Sequence, residues 1–188
     1  MSYDSAATRA RLLDAAYAEF ADRGFAGARV NRIASESGAN KQAIYLYFAS
    51  KEGLFDAVLE DRLGVLADLV PYTPDDLTGY IGALFDHMVA HPELVRLTQW
   101  KQLERPEATE LELNSHVSKA QALAHTLGVD DAQGMDALML TLAMAQAWNT
   151  TSPAVRSMHQ APELRLRQHR AALVAGVTAV VTGAGHSR

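Results

Sequence analysis

Apolar side chains recur at the three- and four-residue spacing of an α-helix along almost the whole chain. The first such run places Leu12, Ala16 and Phe20 on one side of a helix. Gly24 follows it, at a place where a helix that ends in left-handed backbone favours glycine. No stretch alternates apolar and polar residues convincingly, as a half-buried strand does. The pattern therefore predicts an all-α fold.

The periodicity, together with capping residues and with Pro and Gly breaks, sets the expected helix bounds. A fourth helix of twenty residues would span about 30 Å, which is enough to join two units rigidly. Pro71 and Pro74 come directly after it and mark a boundary in composition. The predicted helices cover residues 7–23, 30–37, 41–48, 51–70, 77–90, 93–104, 107–127, 131–149 and 163–181.

Charge is distributed unevenly along the 188 residues, whose formal net charge is −5. Residues 1–51 hold seven basic and five acidic side chains, a net charge of +2, and the remainder carries −7. A basic end on an acidic body can bind phosphates without attracting polyanions over its whole surface. The asymmetry is compatible with a nucleic-acid contact near the beginning of the chain.

Composition excludes several classes of protein. Cysteine is absent, which rules out disulfide scaffolds, thiol nucleophiles and cysteine-bound zinc. No apolar run approaches the roughly 18 residues that a membrane span requires. The first residues lack the pattern of a secretory signal. We therefore expect a cytoplasmic location.

Residues 30–48, VNRIASESGANKQAIYLYF, match the requirements of a helix-turn-helix. Ala34 is small enough for two helices to cross at it, and Gly38 tolerates left-handed backbone in the turn. Asn40 can cap the second helix, whose apolar residues would face inward and whose polar residues would face outward. From spacing alone, a purely structural helical hairpin is an equally good interpretation.

The wider stretch, residues 7–59, resembles the TetR/AcrR family of transcriptional regulators. The resemblance covers about a quarter of the chain, and fixed offsets over some fifty residues carry it. They are Gly24-Phe25, Ile33-Ala34, Gly38, Ile44-Tyr45, Tyr47-Phe48, Ser50-Lys51-Glu52 and Leu54-Phe55. The resemblance implies an N-terminal three-helix DNA-binding domain with a helix-turn-helix, residues 1–50, and a helical ligand-binding and dimerisation domain, residues 51–188.

The resemblance makes residues 41–48 the recognition helix, which lies in the major groove. Lys41 and Gln42 are the implied base readers, because lysine suits guanine O6 and N7 and glutamine suits adenine N6 and N7. Tyr45 would contact a thymine methyl or a phosphate, and Tyr47 would donate to a phosphate. Lys51 would attract phosphate at the start of the fourth helix.

The start of the second helix departs from the family pattern. Ala28 and Arg29 stand where the family often has a hydroxyl residue that caps this helix. We expect the side-chain cap to be lost or replaced, and expect Arg29 and Asn31 to contact the DNA backbone. Ala43 replaces a frequent hydroxyl residue, whereas Asn40 keeps the capping chemistry and joins the predicted DNA-binding set.

For the rest of the chain, the resemblance implies a homodimer through the last two helices and a pocket for a small-molecule effector. An apolar surface on those helices must be covered, and self-association does this. An ordinary place in the core or at an interface is the favoured interpretation for each pocket candidate taken singly. The candidates are Tyr80, Phe85, His87, Met88, Trp100, Leu103, His116 and Met144.

Taken together, these features predict a DNA-binding transcriptional regulator, by default a repressor, which an effector releases from its operator. The alternatives are an interaction scaffold or an enzyme that retains a vestigial helix-turn-helix. No catalytic motif supports an enzyme, so we expect no catalytic residues and no cofactor. His87 and His91 could share a metal ion, but Pro92 ends that helix and no carboxylate has the required offset, so we expect no metal site.

Overall fold

The structure is a computed structural model that describes residues 2–157 and 161–184. Within these residues the chain forms ten α-helices, one 3-10 turn at Pro74–Asp76 and no strand, which confirms the all-α prediction. The helices are α1 (Ser2–Gly27), α2 (Val30–Ser37), α3 (Lys41–Phe48), α4 (Lys51–Leu69), α5 (Leu77–Ala90), α6 (Pro92–Glu104), α7 (Glu110–Leu127), α8 (Asp131–Thr150), α9 (Pro153–Ser157) and α10 (Pro162–Ala184).

Three of the predicted helices, α2, α3 and α5, begin and end where the sequence placed them. The prediction for α7 was wrong by three residues, because the helix begins after Thr109 instead of at residue 107. Thr109 Oγ1 accepts from the amide of Glu112 at 3.2 Å, and the Glu112 carboxylate accepts from the amide of Thr109 at 2.9 Å. This reciprocal capping box fixes the first turn.

Helix α1 extends beyond its predicted ends, and it is interrupted at Gly24, where φ is 69° and ψ is 179°. The short helix α9 was not predicted, since the sequence indicated a loop from residue 150 to residue 162. Part of that loop, residues 158–160, lies outside the described residues.

The described chain divides into two compact units. Unit 1 contains residues 2–66 and 93–107, and unit 2 contains residues 67–92, 108–157 and 161–184. The chain therefore passes from one unit to the other within α4, at the start of α6 and after α6. The division by function at residue 50 stays a prediction.

The core of unit 1 is built around aromatic side chains. Phe20 and Phe55 are fully buried and meet edge to face with their ring centroids 4.9 Å apart, and Phe25 packs on Phe55 at 5.4 Å. Helices α2 and α3 add Ile33 and Ile44 to the same cluster. Such contacts between apolar rings stabilise a small domain mainly through the surface they remove from water.

The end of α6 is held to α1 and α4 within unit 1. The carboxylate of Glu104 accepts from the amides of Phe25 and Ala26 at 2.5 and 3.0 Å. The guanidinium of Arg105 donates to both carboxylate oxygens of Asp56, at 2.9 and 3.4 Å, and lies 5.2 Å from the centroid of the Phe25 ring. These contacts anchor the backbone directly after Gly24.

Unit 2 is a bundle in which α7 and α8 share the most extensive contact. Gly134 permits the approach, since a Cβ there would lie 2.5 Å from the carbonyl oxygen of Ala120 and 2.6 Å from Cβ of Ala124. Helices α5 and α10 are joined by an ion pair in which Arg170 donates to Asp86 at 2.8 Å. Both side chains of this ion pair are partly exposed, so the charged contact lies at the surface of unit 2.

Candidate nucleic-acid interface

The turn between α2 and α3 is formed by backbone hydrogen bonds around one glycine. Gly38 has φ 67° and ψ 18°, and its amide donates to the carbonyl of Ser35 at 3.2 Å. The amide of Ala39 donates to the carbonyl of Ala34 at 3.1 Å. A side chain at Gly38 would be strained in this left-handed conformation. The glycine therefore fixes the angle at which α3 leaves α2.

The side chain of Asn40 caps α3. Its Oδ1 accepts from the amide of Ala43 at 2.8 Å, which satisfies one of the free donors of the first turn. Ile44 and Phe48 are buried against the rest of unit 1. Helix α3 is therefore fixed both at its beginning and along its inner face.

The exposed surface of α3 carries three of the eight residues that the sequence assigned to DNA. Lys41, Gln42 and Tyr45 are exposed, and the Lys41 ammonium lies 5.9 Å from the centroid of the Tyr45 ring. Leu46, which the sequence interpretation missed, is 82 % exposed on this helix. Its position two residues after Ile44 and two before Phe48 is the signal that could have found it.

Tyr47 lies at the side of α3 next to α1. Its hydroxyl is 3.0 Å from Oγ of Ser5 near the beginning of α1. Arg9, also on α1, places its guanidinium 5.4 Å from the centroid of the Phe48 ring. The start of α1 thus brings a cation and a hydroxyl group next to α3. The sequence interpretation did not include Arg9 among the DNA-binding candidates.

A tight turn joins α3 to α4. Ala49 has φ 63° and ψ −39°, and the amide of Ser50 donates to the carbonyl of Phe48 at 2.7 Å. This is a γ-turn of positive φ, a rare and strained conformation for a residue with a side chain. Ser50 Oγ then accepts from the amide of Gly53 at 3.0 Å and caps α4. Lys51 begins that helix, with its ammonium 4.7 Å from the centroid of the Phe25 ring.

The start of α2 has no side-chain cap of its own, as the departure from the family pattern led us to expect. A carboxylate from α1 replaces it, because Glu19 Oε1 accepts from the amide of Arg29 at 2.8 Å and from Nε of Arg32 at 2.8 Å. Burial alone would raise the pKa of Glu19, but these hydrogen bonds hold it below its ordinary value. The side chains of Arg29 and Asn31 are exposed.

The candidate ligand residues do not share one site in unit 2. Trp100 and Leu103 belong to unit 1, where Trp100 packs on Gly24 closely enough that a Cβ there would lie 2.8 Å from its ring. Leu103 is 76 % exposed. A groove of about 650 Å³ in unit 1, along α1 and α2, is lined by residues of both charges and by none of these candidates.

The other six candidates belong to unit 2. Tyr80, Phe85 and Met88 are buried along α5. Met144 on α8 is half-buried, and His116 is exposed with its Nδ1 2.8 Å from the carbonyl oxygen of Glu112. Their assignment to a pocket stays a prediction.

The rings of His87 and His91 lie next to each other, with their centroids 4.4 Å apart and their planes tilted by 36°. Within the described residues, no group of three or more His, Asp or Glu side chains is placed to hold a metal ion. None of the described helices combines the length and the apolar composition needed to cross a membrane.

A short capped helix, set by a glycine turn on two supporting helices with polar side chains outward, defines the class of helix-turn-helix DNA-binding proteins. The profile of the family described as bacterial regulatory proteins, tetR family, matches residues 12–58. A second profile, the tetracyclin repressor-like C-terminal domain, matches residues 76–178. The chain belongs to the TetR family of bacterial transcriptional regulators.

Individual relatives agree with this assignment. The HTH-type transcriptional repressor SCO4008 of Streptomyces coelicolor is 43 % identical over 161 residues, which are 81 % of this chain and 83 % of that protein. The HTH-type transcriptional repressor NicS of Pseudomonas putida is 32 % identical over 52 % of this chain and 50 % of its own length.

Among solved structures, SCO4942 of Streptomyces coelicolor, described as a transcriptional regulator, superimposes with a TM-score of 0.77 at 35 % identity. The match covers 90 % of this chain and 96 % of that one. The predicted family and the predicted class, a DNA-binding transcriptional regulator, are confirmed. The expected absence of catalytic activity stays a prediction.

Proposed function

We propose that this protein is a cytoplasmic, homodimeric repressor that binds a palindromic operator through α3 and is released by a small-molecule effector bound in unit 2. The observation that carries the proposal is the beginning of α3, where Lys41 and Gln42 stand exposed on a helix capped by Asn40. The relatives named as repressors support repression as the outcome.

The proposed contacts divide into base readers and phosphate contacts. Lys41 and Gln42 would read base edges in the major groove. The phosphate contacts fix the position of the protein on the duplex without selecting a sequence. They would come from Arg29, Asn31, Tyr45, Tyr47 and Lys51, while Asn40 holds the first turn.

A salt titration of DNA binding tests this division. Lys51→Ala should weaken binding to every duplex and reduce the slope of log K against log salt by about 1, because it removes one phosphate contact. Lys41→Ala should instead change which base pair is preferred. Lys119→Ala in unit 2 is the matched control and should leave both properties unchanged. Equal losses on every sequence for both α3 and α4 variants would contradict the division.

The homodimer is proposed to form through α8 and α10. On α8, Met139 and Leu140 are 58 % and 56 % exposed, an apolar surface that a second copy would cover. On α10, Ala171, Ala175 and Ala179 are exposed at helical spacing and would allow a close approach. The two recognition helices would then lie about 34–36 Å apart, one turn of DNA.

Sedimentation equilibrium tests this surface. Met139→Glu should shift the protein from dimer to monomer, because the proposed interface would bury an unpaired carboxylate of each copy. Leu111→Glu, at an equally exposed position of α7, is the control and should remain dimeric. A Met139→Glu protein that stays dimeric would refute this interface.

Effector release would require that the ligand bind two arrangements of the protein with different affinities. The chain passes between the units within α4 and at both ends of α6, so these segments would transmit a change made in unit 2. We propose that the buried aromatic and thioether side chains of Tyr80, Phe85 and Met88 contribute to the ligand site.

A further inference from the structure

Leu46 is the most exposed of the large apolar side chains on the described residues, at 82 %. It lies on α3, where Ile44 and Phe48 are buried. A single exposed leucine is ordinary on a protein surface. What distinguishes Leu46 is its position on the same helix as Lys41 and Gln42.

The helical repeat places Leu46 at the centre of the outer face. Each residue turns the helix by about 100°, so Leu46 points about 180° away from the midpoint between Ile44 and Phe48, which are both buried. Gln42 precedes Leu46 by one turn and is exposed on the same side. Tyr45 lies nearer the flank. Leu46 and Gln42 therefore project farthest from unit 1.

The helix that carries Leu46 is fixed at both ends. Asn40 caps its first turn at 2.8 Å, and the γ-turn at Ala49 ends it. At its side, the hydroxyl of Tyr47 lies 3.0 Å from that of Ser5. The position of Leu46 relative to Gln42 is thus set before any DNA is bound.

We propose that Leu46 is a specificity-determining residue that contacts the 5-methyl group of a thymine next to the base pair read by Gln42. This inference rests on the proposed function. A leucine side chain has no donor or acceptor, so the thymine methyl is the only group on a major-groove base edge that it can recognise. Burial of the two apolar groups against each other favours thymine over cytosine. Tyr45, nearer the flank, then contacts phosphate.

The experiment begins with duplexes that the full-length protein selects from a random pool. The tightest duplex is resynthesised with each thymine replaced in turn by deoxyuridine, which lacks only the 5-methyl group. For the wild-type protein, we expect one sensitive thymine in each half-site. Replacing that thymine in one half-site should raise the dissociation constant about fourfold, because one buried methyl-sized group is lost. Replacing both half-site positions should raise it about fifteenfold.

The Leu46→Ala variant should bind the thymine and deoxyuridine duplexes equally well, and Leu46→Met should keep the preference for thymine. Leu113→Ala, an exposed leucine of α7, is the matched control and should keep the wild-type pattern. Since Leu46 is exposed, its truncation leaves the core intact, and the wild-type scan is informative without any variant.

Two results would overturn the proposal. In one, no thymine of the selected duplex loses affinity on replacement by deoxyuridine. In the other, Leu46→Ala has the same deoxyuridine pattern as the wild type, which would place Leu46 against the sugar-phosphate backbone. A protein that selects no duplex at all would refute the proposed function itself, and this inference with it.

Discussion

Units 1 and 2 are both built from packed helices, but they differ in where their candidate functional side chains lie. In unit 1, Gln42 and Leu46 are exposed, while Phe20 and Phe55 form the core. In unit 2, candidates such as Phe85 are buried among the residues that hold the helices together. The candidate functional residues are therefore separate from the core in unit 1 and overlap with it in unit 2.

This difference makes a DNA-reading surface easier to predict from the sequence than an effector pocket. A DNA-reading surface needs exposed polar groups on a fixed helix, and such residues have no part in the core. An effector pocket is lined mainly by apolar side chains, the same types that fill a core. Burial alone cannot distinguish these two roles for a residue such as Tyr80.

The largest expected effect is the loss of stability when one buried ring is removed from the core of unit 1 or of unit 2. Phe55→Ala and Phe85→Ala each remove a buried ring and should lower the free energy of unfolding by about 3–5 kcal/mol. Phe55→Ala should also reduce DNA binding, because its contacts support unit 1. Phe85→Ala should leave the preferred DNA sequence unchanged. Denaturant unfolding and duplex selection measure the two outcomes, and a changed sequence preference in Phe85→Ala would break the comparison.

A smaller effect is expected when a base reader is truncated. Gln42→Ala should lose about 1–3 kcal/mol of discrimination at one base pair in each half-site. Its stability should stay within about 0.5 kcal/mol of the wild type, since the side chain is exposed. Gln102→Ala, an exposed glutamine of α6, is the control for both measurements. Competition binding with duplexes altered at single positions gives the answer. Loss of stability in Gln42→Ala would show that function and stability are not separate in unit 1.

The anchor at the end of α6 sharpens the comparison further. Glu104→Gln replaces a charged acceptor of the amides of Phe25 and Ala26 with a neutral one, and we expect a loss of about 1–2 kcal/mol in unfolding free energy. Glu107→Gln, three residues later and exposed, should have no effect. If both variants unfold at the same denaturant concentration as the wild type, the anchor contributes nothing to unit 1.

The smallest expected effect is the dependence on pH of the stability that Glu19 contributes. The pKa of Glu19 is lowered in the folded protein, so its contribution is present above its ordinary pKa of 4.5 and is lost as the pH falls below that value. Glu19→Gln should therefore lose less stability than the wild type between pH 5 and pH 3, with a difference below about 1 kcal/mol. Thermal unfolding across this range measures it. Parallel curves for the two proteins would mean that the Glu19 contacts contribute little.

The sequence predicted the features that local chemistry determines. Gly38 and Asn40 mark the turn and the cap of α3 within a few residues, so the bounds of that helix could be predicted. Contacts between residues that are distant in the sequence could not be predicted. Glu104 meets the amide of Phe25 across 79 positions of sequence, and no spacing rule indicates such a pair. Leu46 could have been found, but the outward-facing residues were selected for their polarity.

The γ-turn at Ala49 has a consequence for redesign. It lies against Gly53, where a Cβ would come within 2.2 Å of the carbonyl oxygen of Phe48. The turn that follows residues 40–48 is thus rigid, and it leaves no room for a side chain at position 53. A design that replaces α3 with the DNA-reading helix of another regulator should keep residues 49–53 unchanged. That short turn sets the orientation in which the new helix would meet DNA.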